Sequence, residues 1–405
     1  MTNPNAVHVR CCLLLICLLI GCVPAVYGQP ARRQTYTFLY PVSARDSQTG
    51  EMRFGFIDKS GKLIVGYDQL PKNTVAVDQF HEGRALIYVQ QTKSQSGEYS
   101  ERLAGYIDET GTVVIPAVFD VAHPFSEGLA YVESNDGVFK GFIDRTGTRV
   151  ITVNGKANDF NEGLAAVQSA DAQTWGYIDR SGRSVVRPQY EFADDFSEGL
   201  AGIVINGKYG FINKQGRIVI QPRFDVRRSL RHPEVFVSTG RFRDGMAPVR
   251  VNRLYGYINQ RGEFVVKPRF FTAQEFSEGL ALVVEMDEIT SVVKRAGWID
   301  KSGRYAIAAI KGHSSAKEFA RTFSDPNGLR DWRFSEGLAP FDMHRNGKYV
   351  QGYIDRQGVV VVEPRPYDRL GRFIGGIARV QIRDFGTDQA YGYIDRQGRF
   401  IWRSK

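Results

Sequence analysis

The sequence predicts an all-β protein: nine tandem three-stranded β-hairpin repeats forming a propeller-like or open curved array. Three observations predict it. A motif Gly-aromatic-Ile-Asp/Asn-x-x-Gly begins at Gly55, Gly105, Gly141, Gly176, Gly210, Gly256, Gly297, Gly352 and Gly392, with successive copies 34 to 55 residues apart. A second motif, most often Phe-Ser-Glu-Gly-Leu-Ala, lies between the copies and begins at Phe80, Phe125, Phe160, Phe196, Phe242, Phe276, Phe334 and Phe373. Helix signals are few. Self-similarity at such a period marks a repeat architecture, so a chain long enough for two or three domains reads as one array.

Each unit is justified in chain order. Glu-Gly of the second motif turns the chain into a first strand, such as residues 200–205. The second strand carries Gly-aromatic-Ile-Asp, and Tyr177 and Asp179 alternate with Ile178 as a half-buried strand requires. Asp at the turn bonds backbone N–H groups two residues on, and the closing Gly takes positive φ without a Cβ penalty. The pair favours a tight hairpin with a bulge. A third strand carries a Val-Ile pair and ends at Pro, as at Pro188, Pro222 and Pro268. Proline cannot donate to a ladder, so it belongs at a strand end. The one helix signal, residues 314–323, sits in the longest interval and is closed by Asp325-Pro326-Asn327-Gly328. It reads as an insertion. The last copy stops just after its third strand begins, and an early strand lies near Tyr36 to Val42. The two ends either complete a ring or cap an open array.

These motifs resemble those of the WG-repeat, or KWG-repeat, family of bacterial extracytoplasmic proteins. The dipeptide itself stands at Trp175-Gly176, and Lys208-Tyr209-Gly210 is close to the longer form. Tyr255-Gly256, Tyr391-Gly392 and Phe54-Gly55 keep an aromatic, whereas Ala104, Lys140, Ala296 and Gln351 depart from it. The resemblance covers residues 36–405. It implies an all-β repeat array with binding roles outside the cytoplasm and no defined catalytic residues.

The N-terminus reads as an address. Arg10 precedes a twelve-residue apolar run, Cys11 to Cys22, which has the length of a signal-peptide core. Two processing readings stand open. Leu19-Ile20-Gly21-Cys22 resembles a lipobox, making residues 1–21 a lipoprotein signal and Cys22 the lipidated residue. Val26-Tyr27-Gly28 before Gln29 resembles an ordinary cleavage site, making residues 1–28 the signal peptide. Residues 29–35 read as a polar tether and residues 36–405 as the array. Either reading exports the protein, to the periplasm or as an outer-membrane or cell-surface lipoprotein. Membrane contact is then expected only through the N-terminal lipid.

Composition narrows the chemistry. Hydrophobic residues make up 42% of the chain, enough for a core. All 4 cysteines lie in residues 11–22, so the body has no disulfide, cysteine zinc site or cysteine nucleophile. The six histidines show no metal-ligand spacing, and there is no nucleophile elbow or phosphate loop. No catalytic residue, metal or cofactor is expected. The repeated acids Glu82, Glu127, Glu162, Glu198, Glu278 and Glu336 read as turn stabilisers, because a glycosidase needs one carboxylate pair with separated pKa values. Asn213 and Asn259 replace the turn Asp freely, which argues for capping there too.

Two candidate binding features remain. The net charge is +9, and residues 217–253 hold nine arginines against three acids. Arg217, Arg223, Arg227, Arg228, Arg231, Arg241 and Arg243 form a candidate anion- or partner-binding patch. Trp175, Trp298 and Tyr353 are candidate glycan-stacking rings, with core packing as the competing reading. The expected function is an exported, non-enzymatic β-repeat scaffold binding a protein or a cell-envelope polymer, an anionic one included, and not nucleic acid. A cell-wall glycan-binding module is the alternative, and a carboxylate-based hydrolase the third. Ligand and oligomeric state are not written in these motifs.

Overall fold

Every copy of the Gly-aromatic-Ile motif lies on the middle strand of an antiparallel hairpin pair, flanked by a first strand before it and a third strand after it. The structure is a computed structural model that describes residues 38–90, 102–228, 236–237, 240–287, 293–308, 331–345, 348–382 and 390–404. Among them there is no helix. Residues Thr37–Lys405 form one compact unit. The signal peptide, Cys22, the tether, residues 314–323 and Arg231 lie outside the described residues.

The fifth copy shows how sequence becomes strand. Leu200–Ile205 pairs with Lys208–Asn213, which pairs in turn with Ile218–Asp225. The second pairing shifts register on both sides of Phe211. The third strand bulges toward the motif glycine there. A Cβ on Gly210 would lie 2.7 Å from the Ile220 carbonyl oxygen, so only glycine fits. Gly216 closes the turn at φ 75°, and a Cβ there would stand 2.7 Å from Val186 of the preceding copy. One glycine therefore sets the hairpin, and the other the distance between units.

The sheets depart from a uniform three-stranded unit. Some have three strands, three have four, and copies two and three share one of seven. The extra strands are segments after the proline that regain pairing, as at Phe192–Ala193, Thr272–Ala273 and Tyr367–Ile374. A short two-stranded ribbon, Arg227–Arg228 with Phe236–Val237, lies apart from these.

The core lies between units. Tyr177 and Val186 of the fourth copy pack with Phe196, Ala201 and Ile212, which lead into and form the fifth. The same layering recurs along the chain, and one cluster joins its ends: Tyr40, Val42 and Ile57 pack with Ile377 and Tyr393. The Tyr40 hydroxyl donates to the Ile374 carbonyl at 2.7 Å, and the Tyr393 hydroxyl to the Pro41 carbonyl at 2.9 Å. The first and last sheets thus meet through side chains, with no strand shared between them.

Candidate functional site

The second motif is a latch between units. In Ser126-Glu127-Gly128-Leu129 the outer residues exchange both backbone hydrogen bonds, at 2.9 and 3.1 Å. Glu127 has φ 53° and Gly128 φ 80°, the two positive values of a tight primed turn. A left-handed glutamate is uncommon and costs energy. Its carboxylate gives the reason: Glu127 Oε2 accepts the N–H of Gly163, in the next copy's turn, at 2.8 Å. Glu82 takes the N–H groups of Glu127 and Gly128, both at 2.8 Å. Glu162, Glu198, Asp244, Glu278 and Glu336 repeat the contact onto Gly199, Gly245, Gly279, Gly337 and Gly375. Ser126, Ser197, Ser277 and Ser335 donate to the carbonyl of the next copy's Phe. The acids stabilise turns, but the turn of the neighbour.

The motif aromatics pack edge-on against the Phe of the following latch. Tyr177 meets Phe196 with centroids 4.9 Å apart, and Tyr353 meets Phe373 at 4.8 Å. Trp298 meets Phe334 at 5.8 Å. Trp298 and Tyr353 are both 0% exposed, which corrects the expectation that they stack on a glycan: neither ring has a face to offer. Trp175 is half-buried against the core formed around Tyr177. The tyrosine hydroxyls find backbone carbonyls, as from Tyr177 to Asp194 at 2.7 Å and Tyr257 to Gln274 at 2.7 Å. Burial raises both phenols well above their ordinary value.

The turn acids behave as caps. Asp179 Oδ1 accepts from the Ser181 hydroxyl and from the N–H groups of Ser181 and Arg183. These bonds, the Ser181 hydroxyl foremost, hold its carboxyl down at about 2. Asn213 and Asn259 accept the same pair of backbone N–H groups through their own Oδ1, so a charge is not needed.

The arginine candidates divide. Arg241 pairs with Asp195 at 3.0 Å, its backbone N–H reaches Glu275, and Arg243 pairs with Glu275 at 2.8 Å. Arg223 donates to the Gly262 carbonyl and lies over Phe224. Arg217 is exposed. Arg227 and Arg228 lie in the two-stranded ribbon. The cluster in sequence is therefore not one unpaired patch in space.

Arg241 and Arg243 instead join a polar belt that sequence reasoning missed. It runs along the residues just before each latch Phe. His123 Nδ1 lies 2.8 Å from Asp159, Asn158 donates to Asp195, and Asp195 meets Arg241. Glu275 then takes Arg333 at 2.8 Å, and Asp331 takes Arg333 and Arg372, each at 2.8 Å. Burial pushes the Asp331 carboxyl up, but the Arg333 bonds and the two guanidiniums hold it below the usual range. Aligning the copies on Phe places Asp159, Asp195, Arg241, Glu275, Arg333 and Arg372 at one position, charges of both signs. Among the described residues no group of three acids, cysteines or histidines is placed to hold a metal.

The third strands present a different surface. All but Val113–Ala122, which pairs on both sides, lie at the edge of their sheets, and in those such as Ser184–Tyr190 the third residue is buried and the two before it are turned outward. Val185, Ile218, Val219, Phe264 and Val265 are all exposed, Val219 and Val265 at 44%.

The model of the WG containing repeat matches residues 105–137, 175–209, 209–226, 255–285 and 352–384. No curated protein matches the chain. Solved structures that are similar include Kluyveromyces lactis Hsv2, at 9% identity over 81% of this chain and 94% of that one, with TM-score 0.34. The Pyrococcus horikoshii acylaminoacyl peptidase is similar at 9% over 81% of this chain and 52% of that one, with TM-score 0.39. The β-propeller domain of the Trilobed protease from Pyrococcus furiosus is similar at 7% over 79% and 92%, with TM-score 0.36. At these scores none of the three lends this chain a residue role. The WG containing repeat is thus present at five places along the chain.

Proposed function

We propose that this protein is an exported, non-enzymatic scaffold whose nine motif units close into a propeller-like ring and hold a protein partner of the cell envelope. The observation that carries this reading is the recurrence of exposed apolar pairs on the edge strands of successive copies, among them Ile218-Val219 and Phe264-Val265. Contiguous exposed apolar surface is unfavourable in water and marks contact sites. The prolines and the flanking Arg187, Gln221 and Lys267 guard these edges against added strands, so the partner is met by side chains. The residue types that would serve catalysis support the same reading, since the motif acids and tyrosines are engaged in latches, caps and core. The glycan alternative no longer rests on Trp298 or Tyr353.

The test uses the chain from Gln29 as bait against native envelope, with crosslinking. An envelope protein retained by the wild type and lost with the double variant Val219→Lys, Val265→Lys, at unchanged circular dichroism, is the expected result. Equal retention by the variant, or retention of purified glycan alone, would sink the reading. Fatty-acid labelling of the full-length protein, abolished by Cys22→Ser, is expected for the lipidated form. A mature protein that starts at Gln29 and takes up no label would leave only the released form.

A further inference from the structure

Two cavities, of about 140 and about 250 Å³, share one wall, the Arg369-Leu370-Gly371 stretch of the strand Tyr367–Ile374. The repeat departs from its pattern here. The latch reads Phe373-Ile374-Gly375-Gly376, and the strand before it has eight residues, as Thr74–His81 has, against two at Phe192–Ala193. Two places before Phe373 stands Gly371, as Gly240 stands before Phe242, where Asp78, His123, Asn158, Asp194, Gln274 and Trp332 stand in the other copies. The missing side chain and the longer strand leave the space open.

Charged and polar groups gather at this place. Arg369 and Arg379 both line the larger cavity, and among the described residues no carboxylate pairs with either. The Arg379 guanidinium lies 4.3 Å from the Tyr391 ring centroid, which holds it in place. Two like charges in one concave site repel unless an anion enters. Asp342 and Gln351 line the smaller cavity, each only 2% exposed. Gln351 Nε2 donates to Asp342 Oδ1 at 2.7 Å, and Gln351 Oε1 is buried with no partner among the described residues. The same cross-strand place holds Val204 with Tyr209 and Val284 with Ala296 in two copies, and the half-buried ion pair of Glu133 with Lys140 in a third. A polar pair this deeply buried, with one amide oxygen left unpaired, points to a ligand, because an unsatisfied buried amide is costly. A space of about 150 Å³ holds one benzene-sized ring.

We propose that this double cavity binds one sugar ring bearing a carboxylate, either a free uronic acid or the end of an acidic glycan. Arg369 and Arg379 take the carboxylate, where their planar forks suit it. Asp342 and Gln351 take ring hydroxyls.

Titration calorimetry on the chain from Gln29 tests this with glucuronate, methyl glucuronide, glucose and inorganic phosphate. Glucuronate or its glycoside is expected to bind saturably, with glucose at least about tenfold weaker. Binding of the glycoside alone assigns a glycan end, and binding of both assigns the free acid as well. Arg369→Ala and Arg379→Ala are each expected to weaken binding at least about tenfold, the gap of one lost charged pair. Should either fail to fold, Arg369→Lys keeps the charge, loses the fork and is expected to weaken binding several-fold. No saturable binding of either acid, phosphate as tight as glucuronate, glucose as tight as glucuronate, or folded arginine variants that bind normally would each overturn the proposal. The site is independent of the edge-strand partner: Val219→Lys with Val265→Lys is expected to leave glucuronate binding unchanged.

Discussion

At the scale of single residues, the latch glutamate explains its own recurrence. Glycine would fit φ near 53° more easily, yet glutamate stands there in copy after copy. A carboxylate on that backbone reaches the next turn's N–H groups and can accept with both oxygens. Glu336 takes two of them, from Gly375 at 2.6 Å and Gly376 at 3.0 Å. Glu336→Ala is expected to cost about 2–3 kcal/mol by urea unfolding, and Glu336→Gln less, since the amide keeps one acceptor. Equal losses for the two variants would show that packing, not acceptance, is what matters. The turn was legible because acid beside glycine is a turn signature. Its target was not, because the accepting and donating residues lie 35 to 59 positions apart along the chain.

At the scale of the strand, alternation placed the motif aromatics and left their outlook open. A period of two says that Tyr177 and Asp179 share one face of the strand. It does not say whether that face meets water or another unit. Burial has a consequence at high pH. Tyr106, Tyr177, Tyr257, Tyr353 and Tyr393 are all raised above the ordinary phenol value, chiefly by burial. Tyr40 is pushed up to about 12 by burial and by Glu336. Raised phenols contribute stability that is complete below the unfolded value of about 10 and is lost as pH climbs toward the folded values. The turn carboxyls of Asp58, Asp144, Asp179 and Asp300 are lowered, through side-chain hydrogen bonds first. Their contribution is present above the unfolded value of about 3.9 and is lost as pH falls toward the folded ones. The melting temperature is therefore expected to hold a plateau from about pH 5 to about pH 9 and to fall on both sides. Tyr177→Phe with Tyr257→Phe is expected to lower the plateau and soften the alkaline fall. A wild-type melting temperature that stays level through about pH 12 would contradict this assignment.

At the scale of the molecule, the decisive contact is the one between the ends. An open array leaves two terminal units with a bare face each, and such units need special caps. Here Tyr40 stands opposite Tyr393, with ring centroids 5.5 Å apart, where a latch Phe stands opposite the other motif aromatics. Gly61 of the first copy lies against the Ile401 carbonyl of the last, repeating the seat of Gly216 on Val186. Tyr40→Ala removes the ring pair and the bond to Ile374 together, and is expected to cost about 3–5 kcal/mol. Hydrogen exchange is expected to rise first in Tyr40–Arg45 and Tyr391–Asp395, with Lys208–Asn213 still protected. A uniform rise, or none, would mean that the ends do not hold each other.

The sequence by itself determined the local grammar: where each hairpin turns, which glycines cannot change, where the prolines end the strands, and that helices have little place. Those features depend on backbone geometry within a few residues, so each copy states them in full. Tertiary structure alone decided what the repeated side chains face. Trp298 and Tyr353 were candidates for a ligand and are core, because a neighbouring unit covers them. Arg241 and Arg243 were part of a basic run and belong to an ion-paired belt, because Asp195 and Glu275 arrive from adjoining units. Arg369 and Arg379 drew no attention in the sequence and line a cavity without a counter-charge among the described residues. The physical reason is common to all three: a repeat specifies its own strand pairing locally, while burial and charge balance are set by residues a whole unit away.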